Sequence, residues 1–400
     1  MGATMTTVSA LTKEIYESKM RDQLLDEVTT LKRVERTSEG VTSEVGGKYV
    51  VFPIHTSRNQ GIGARLEMEA LPVAGNQGTK GARVGLRYQY GSVQLSGQTF
   101  ELAKTNAQTF VTTLDLEMNG LKTDLAIDLN RQCYGDGTGS LARVNTIATT
   151  TTATVDHTLW LTSQIGAVVD IYDVTGVTQK ASGRTITGIT ATSVTFSGAN
   201  VVFAVGDFFV RTGSIGAADL STQREWTGFA AITSAAASLY GVTDAVWTSN
   251  RYFNGGTLRA LSEGLMTTCA DGVRIRGGKT SVLFSNLGVR RAYAALLVQE
   301  RRFTNTTEFK GGFSGLAFTT DTGDIPMVVD TYCPPNTIYG MNEKELKWYR
   351  ESDWSFMDRD GSMWERVSGY DAYKGTMYQY SELGTHRRNS HFVLGDIIEG

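Results

Sequence analysis

The clearest pattern along the chain is helical. Ala107, Val111, Leu114, Met118, Leu121, Leu125 and Leu129 recur at steps of four and three, so residues 101–134 predict one long helix. About 30 residues at 1.5 Å each make a rod of roughly 45 Å. Thr105 followed by Gln108 offers a capping box, and Gly135-Asp136-Gly137-Thr138-Gly139 stops the helix. Gly120 costs such a helix about 1 kcal/mol relative to Ala, which packing along the apolar stripe must offset. A second amphipathic stripe lies in residues 1–45. Ile15, Leu24, Leu25, Val28 and Leu31 fall at helical spacing among Lys13, Glu14, Arg21, Asp22 and Glu27. With no local core, that stripe packs either on the body of its own chain or on another copy.

Between the two helices, residues 46–99 follow a period of two. Lys48 to Ile54 is a β-rich run. From Arg83 to Tyr90 the alternation puts Val84, Leu86, Tyr88 and Tyr90 on one face. The stretch between them carries Gly61, Gly63, Gly75, Gly78 and Gly81, with Arg58, Arg65, Glu67, Glu69 and Lys80. A hairpin with so long and charged a tip has no face to bury on itself, and is expected to project.

Residues 141–215 change character: charge nearly vanishes and Thr, Val and Ile dominate. Val168 to Ile171, Thr185 to Thr187, Val194 to Phe196 and Phe208 to Val210 read as short strands between Gly, Asp and Asn turns. Their even spacing predicts a small β-barrel or sandwich inserted into the chain. Residues 216–400 read as mixed α and β. Helices are expected at Leu258–Ala270 and Leu287–Arg301, and strands at Ser281–Phe284, Ile325–Val329 and Thr337–Met341. The tail is rich in Trp and Tyr, side chains that suit subunit contacts.

Composition narrows the function. The formal net charge is -3, against a basic nucleic-acid footprint, so contact with DNA is expected to be weak and unspecific. Cys133, Cys269 and Cys333 are odd in number and form no C-x-x-C pair, which fits a reducing compartment and neither a disulfide scaffold nor a zinc site. His55, His157, His386 and His391 show no metal-ligand spacing. No apolar run approaches the ~18 residues of a membrane span, and no secretory signal opens the chain. Met1-Gly2 with Thr6 fits a myristoylation pattern of few fixed positions, read as a chance match.

The chemistry motifs fail one by one. Asp321-Thr322-Gly323 matches the core of an aspartic-protease motif, but the chemistry needs a second such aspartate at close range; the motif reads as a turn. Gly78-Thr79-Lys80 is followed by Gly81, not by the Ser or Thr of a phosphate loop. Asp358-Arg359-Asp360-Gly361 lacks the later ligands of a calcium loop. No G-x-S-x-G elbow leads into a helix. No catalytic residue, cofactor or metal site is expected.

The order of elements carries more. A helical arm, a projecting Gly-rich hairpin, one long helix ending Tyr134-Gly135-Asp136-Gly137-Thr138-Gly139, and a mixed body follow one another. Leu283-Phe284-Ser285-Asn286 precedes a helix, and the chain closes on Arg387-Arg388-Asn389-Ser390-His391-Phe392-Val393-Leu394. This order resembles the major capsid protein of tailed double-stranded DNA phages, with the Hong Kong phage-type fold. The resemblance implies an α+β fold with an N-terminal arm (1–45), an extended loop (46–99), the spine helix of a peripheral domain (100–140) and an axial domain with the remaining peripheral strands (216–400). The β-rich insertion, 141–215, departs from minimal members. The resemblance implies a non-enzymatic shell subunit forming hexamers and pentamers, located in the virion and, during assembly, in the host cytoplasm. Its partners would be other copies of itself, scaffolding, portal and decoration proteins, and packaged DNA, with no membrane. Arg65, Glu67, Arg83 and Arg87 on the hairpin, and Ile15, Leu24 and Val28 on the arm, are the expected inter-subunit contacts. Lys48 and Lys80 stand where a covalent cross-link would start, as in some relatives. Encapsulin-type shells, other phage structural proteins and a hydrolase centred on Asp321 are the alternatives.

Overall fold

A computed structural model of the chain describes residues 28–38, 41, 49–98, 107–147, 149–156, 165–215, 223–301, 317–320, 323–358 and 362–400. The N-terminal stripe enters it at Val28 and Leu31, half-buried and buried respectively in the main core; Ile15, Leu24, Leu25, Lys48, Thr105 and Asp321 lie outside the described residues. A single turn, α1 (Thr30–Arg33), leads into β1 (Glu35–Thr37). The hairpin follows as β2 (Tyr49–Ser57) and β3 (Gly78–Gly85), paired antiparallel from Tyr49↔Gly85 to Ser57↔Gly78.

The alternation through residues 83–90 predicts one strand, but the structure has two. The chain breaks at Leu86, and β4 (Arg87–Ser96) leaves the hairpin to pair with another strand altogether. The side-chain period survives the break while the hydrogen-bonding partner changes. Tyr88 and Tyr90 consequently sit on an exposed face of the main sheet. The long helix, α2 (Ala107–Gln132), covers the other face of β4. A side chain at Gly91 would meet Leu121 and Leu125 at 2.9 Å, so two members of the predicted stripe lie against the strand there. The helix stops where expected, and Gly137 (φ +90°) and Gly139 (φ +78°) take the left-handed conformations that favour glycine.

The inserted segment closes into a barrel. Its strands are β5 (Ser140–Ile147), β6 (Thr152–Val155), β7 (Val168–Tyr172), β8 (Gln179–Ile189), β9 (Ser193–Phe196) and β10 (Phe208–Arg211), in the circular order β10-β5-β6-β9-β8-β7. Leu141, Val155, Ile171, Ile186, Val194 and Phe209 are buried within the cluster that fills it.

The remaining elements are α3 (Phe229–Ile232), β11 (Asn250–Tyr252), α4 (Glu263–Ile275), β12 (Val282–Ser285), α5 (Leu287–Arg301), β13 (Ala317–Thr320), β14 (Gly323–Val329), β15 (Ile338–Met341), β16 (Leu346–Arg350), β17 (Ser355–Phe356), β18 (Glu365–Arg366), β19 (Ala372–Thr385) and β20 (Phe392–Leu394). They build two sheets. One is gathered around the long β19, which pairs with β16, β17, β18 and β4 while β1 joins β16 in parallel. The other has the order β11-β20-β15-β12-β14-β13, with α4 and α5 sharing its apolar cluster through Met266, Val273 and Val289. The helix expected at Leu258 begins five residues later. Ser262 caps it, accepting the Leu265 N–H at 3.2 Å, while Arg259 upstream is held in extended pairing by Asp396.

Candidate functional site: an open hairpin on a polar junction

The hairpin is anchored at one end only. Val50 and Val84 bury against Tyr349 of β16 at its base. Beyond Ser57 the chain curls on itself without a core. Asn59 Oδ1 accepts the Gly61 N–H at 2.7 Å, the Arg65 guanidinium donates to the Ala70 carbonyl at 2.9 Å, and Glu69 accepts the Leu66 N–H at 3.0 Å. A side chain at Gly61 would stand 2.8 Å from the Gly75 nitrogen, so the two legs of the tip touch backbone to backbone. The tip presents Ile62, Leu66, Met68, Leu71 and Val73 at 77–99% exposure. These side chains were hidden in the sequence by the glycines and charges between them. Their signal was the lack of any regular period, which left no face of the tip to turn inward.

The four charged hairpin residues separate in the structure. Arg65 shapes the tip, and Glu67 is exposed on it with no ion pair among the described residues. Arg83 is exposed on β3. Arg87 lies beyond the break, half-buried, with its Nε 3.1 Å from Glu382 and a hydrogen bond to the Gln223 carbonyl. Lys80 pairs with Asp244 at 3.2 Å.

Arg87 belongs to a buried polar junction between hairpin, barrel, long helix and main sheet. Glu382 also accepts the Thr227 and Leu383 N–H groups at 2.6 and 3.2 Å. Burial raises its pKa to about 7, outweighing Arg87 and those N–H groups. Alongside, Arg131 Nη2 is shared between both Glu225 carboxylate oxygens at 2.7 Å and its Nε reaches Asp128 at 3.0 Å; Arg211 of the barrel reaches Asp128 at 3.1 Å. Burial alone would raise the Asp128 pKa, but Arg131 and Arg211 together hold it below the usual carboxylate range. Beside Arg87 and Glu382 opens a cleft of about 380 Å³ lined also by Arg83, Asp136, Thr227, Ser234 and Ser238, among others.

The arm is fastened at a second polar cluster. Thr30 gives its N–H (3.2 Å) and hydroxyl (2.6 Å) to Asp330, Asn130 donates to the same carboxylate at 2.9 Å and accepts the Leu31 N–H at 2.9 Å, and Tyr134 contacts the Thr30 hydroxyl at 2.5 Å. Thr30, Asn130 and Asp330 are all buried. Arm, long helix and the end of β14 therefore meet at one carboxylate.

Reactive chemistry finds little support in this arrangement. The three thiols are buried, and burial pushes Cys269 up to about 12 and Cys133 and Cys333 well above the ordinary range. His391 is buried and held down to about 3 by desolvation. Its Nδ1 accepts the Asn342 N–H at 3.2 Å, and its Nε2 faces the Thr385 hydroxyl at 2.7 Å. Among the described residues no cluster of His, Cys, Asp and Glu could hold a metal ion, and no helix is long and apolar enough to cross a membrane.

Residues 207–397, just under half of the chain, match the family model of the SU10 major capsid protein. The capsid subunit of Cyanophage A-1(L) is similar in structure, with a TM-score of 0.60, 15% identity and 99% of each chain covered. The capsid of a native GTA particle is also similar, with a TM-score of 0.51, 10% identity, and 96% of this chain and 95% of that chain covered. No curated protein matches in sequence. The capsid family match over the C-terminal part and the phage-capsid fold over the whole support a structural capsid protein of the virion shell, in a non-enzymatic role.

Proposed function

We propose that the chain is the major head protein of a tailed phage, assembling into hexamers and pentamers that close an icosahedral shell around double-stranded DNA. The observation that carries this is the hairpin tip: Ile62, Leu66, Met68, Leu71 and Val73 stand exposed, with no described residue of their own subunit covering them. Burying such side chains against a neighbour gains roughly 1.5–3 kcal/mol each before the costs of association. In a closed lattice each subunit gives and receives that contact, so moderate interfaces sum to a stable cage. Arg65 and Glu67 add charge at the tip, while Arg83 and Arg87 lie at the hairpin's base, where Arg87 is engaged within its own chain. Ile15 and Leu24 are taken to supply an apolar stripe for a neighbour; Val28, named with them in the sequence, packs partly against the chain's own core, close to the Thr30–Asp330 bond that fastens the arm. The net charge of -3 suits a DNA container, because a strongly basic lining would grip the genome in a salt-dependent way. Scaffolding, portal and decoration proteins complete the reading, with assembly in the host cytoplasm.

The test is negative-stain electron microscopy of the purified chain, alone and with the products of neighbouring genes. Shells, or rings of five and six subunits, are expected. A folded monomer that stays dispersed at high concentration in both samples would refute the reading.

A further inference from the structure

The cleft at the polar junction has an unbalanced charge. Its lining includes two carboxylates, and each already has its cation. Glu382 is 3.1 Å from Arg87, and Asp136 is 3.6 Å from Arg143. Asp136 also caps its own turn through the Thr138 N–H at 3.0 Å. Arg83 lines the same space and makes no ion pair among the described residues, so one positive charge is left over. Hydroxyl groups of Thr227, Ser234 and Ser238 share the lining. The wall that carries the serines is pinned. Arg388 is fully buried and donates to the carbonyls of Ile232, Ser234, Ala236 and Trp247. It also reaches the Ser234 hydroxyl oxygen at 3.3 Å, which leaves that hydroxyl's proton free to donate elsewhere. On the opposite side, the Arg83 N–H is tied to the Tyr240 carbonyl at 2.9 Å. The cleft is thus preformed, polar and short of one negative charge.

We propose that this cleft is an oxyanion site in which Arg83, with the hydroxyls of Ser234 and Ser238, takes up a single carboxylate or phosphate group. Two sources share that chemistry: a free inorganic phosphate, or the Glu67 carboxylate of a second copy. Glu67 is exposed at the hairpin tip and has no cation of its own among the described residues. The second source rests on the shell reading above; the first does not.

Thermal unfolding of the purified chain in sodium phosphate and in sodium chloride of matched ionic strength reads the site directly. Phosphate is expected to raise Tm. Arg83→Gln is expected to weaken phosphate binding about tenfold or more, the usual worth of a charge-assisted contact, and Arg83→Lys to keep part of the effect. Circular dichroism of each variant checks that the fold is intact. Shell yield then separates the sources. If Glu67→Arg and Arg83→Glu each lower the yield and the double exchange restores it, the natural occupant is the neighbour's carboxylate. Phosphate binding that depends on Arg83, without rescue by the exchange, assigns the site to a free anion. A wild-type Tm indifferent to phosphate, with no rescue by the exchange, overturns the proposal. Absence of shells from the wild type would count against the shell reading alone, since the phosphate measurement does not require assembly.

Discussion

The hairpin and the barrel are both glycine-dotted β insertions in one body, and they solve the edge problem in opposite ways. The barrel closes, so every strand has two neighbours and its Leu, Val, Ile and Phe side chains fill its own interior. The hairpin has two strands and a tip whose apolar side chains face solvent. A two-stranded ribbon is marginal by itself, so the hairpin borrows stability from Tyr349 at its base and leaves its tip unsatisfied. One insertion is complete within the chain; the other, on the proposed reading, is completed by a neighbour.

The largest effect should come from removing each in turn. Replacing residues 58–77 with an Asn-Gly turn keeps β2 and β3 paired and removes all five exposed apolar side chains. Thermal unfolding should barely change, while electron microscopy should show shells lost altogether. The barrel offers the opposite case. A side chain at Gly139 would stand 3.1 Å from Ser214 Cβ, so the two ends of the insertion are adjacent and joining them excises it. That deletion forfeits the Arg211–Asp128 and Arg143–Asp136 pairs and should lower Tm, yet shells should still form. Shells from the hairpin deletion and none from the barrel deletion would reverse the comparison.

Next in size is Arg388→Met. A buried guanidinium satisfying four backbone carbonyls holds the loop that walls the junction. Its loss leaves those carbonyls unpaired and should cost about 3–5 kcal/mol, the range seen when buried charged networks are broken. Urea denaturation should show the drop. The hairpin tip lies outside that loop, so any refolded variant should keep whatever assembly its stability permits.

Thr30→Val probes the arm more gently. It deletes the hydroxyl shared by Asp330 and Tyr134 and keeps the shape. One buried hydrogen bond to a charged group suggests a loss of about 1.5–3 kcal/mol. If the arm serves a neighbour, shell yield should fall by more than this stability change explains. A purely internal arm predicts matching losses.

How much of this was legible in the sequence depends on whether the physics was local. The long helix was readable because Leu121, Leu125 and Leu129 repeat at the helical period, and Gly137 and Gly139 mark its end with conformations glycine favours. The barrel strands at Val168, Val194 and Phe208 were readable from β-branched and aromatic runs between turns. The break at Leu86 was not, because strands of either partner share a period of two. Nor was the start of α4, where apolar Leu258 and Leu261 extend the pattern but the Ser262 cap decides. At the junction, Arg83 and Arg87 stood out as charges, but Arg87 meets Glu382 across 295 positions of sequence, and no local pattern announces such a pair.

The smallest net effect is a pH dependence with two opposing parts. His391 is buried neutral, with its pKa held down to about 3. In the unfolded chain it takes a proton below about 6.5. Its stabilising contribution is therefore present above 6.5 and is lost as pH falls toward 3, by about 1.4 kcal/mol per pH unit. Glu382 runs the other way. Its folded pKa is raised to about 7, above the unfolded value of 4.5, so its contribution is present below 4.5 and is lost as pH rises through 7. Between 4.5 and 6.5 the two slopes oppose each other, and the wild type should come closer to a plateau of stability than either variant. His391→Gln should tilt that plateau, making the protein more stable toward pH 4.5, and Glu382→Gln should tilt it the opposite way. Urea midpoints at half-unit pH steps would read both slopes. Parallel curves for the wild type and both variants would mean that neither group keeps its buried protonation state, and that the junction beneath the hairpin is wetter than its packing indicates.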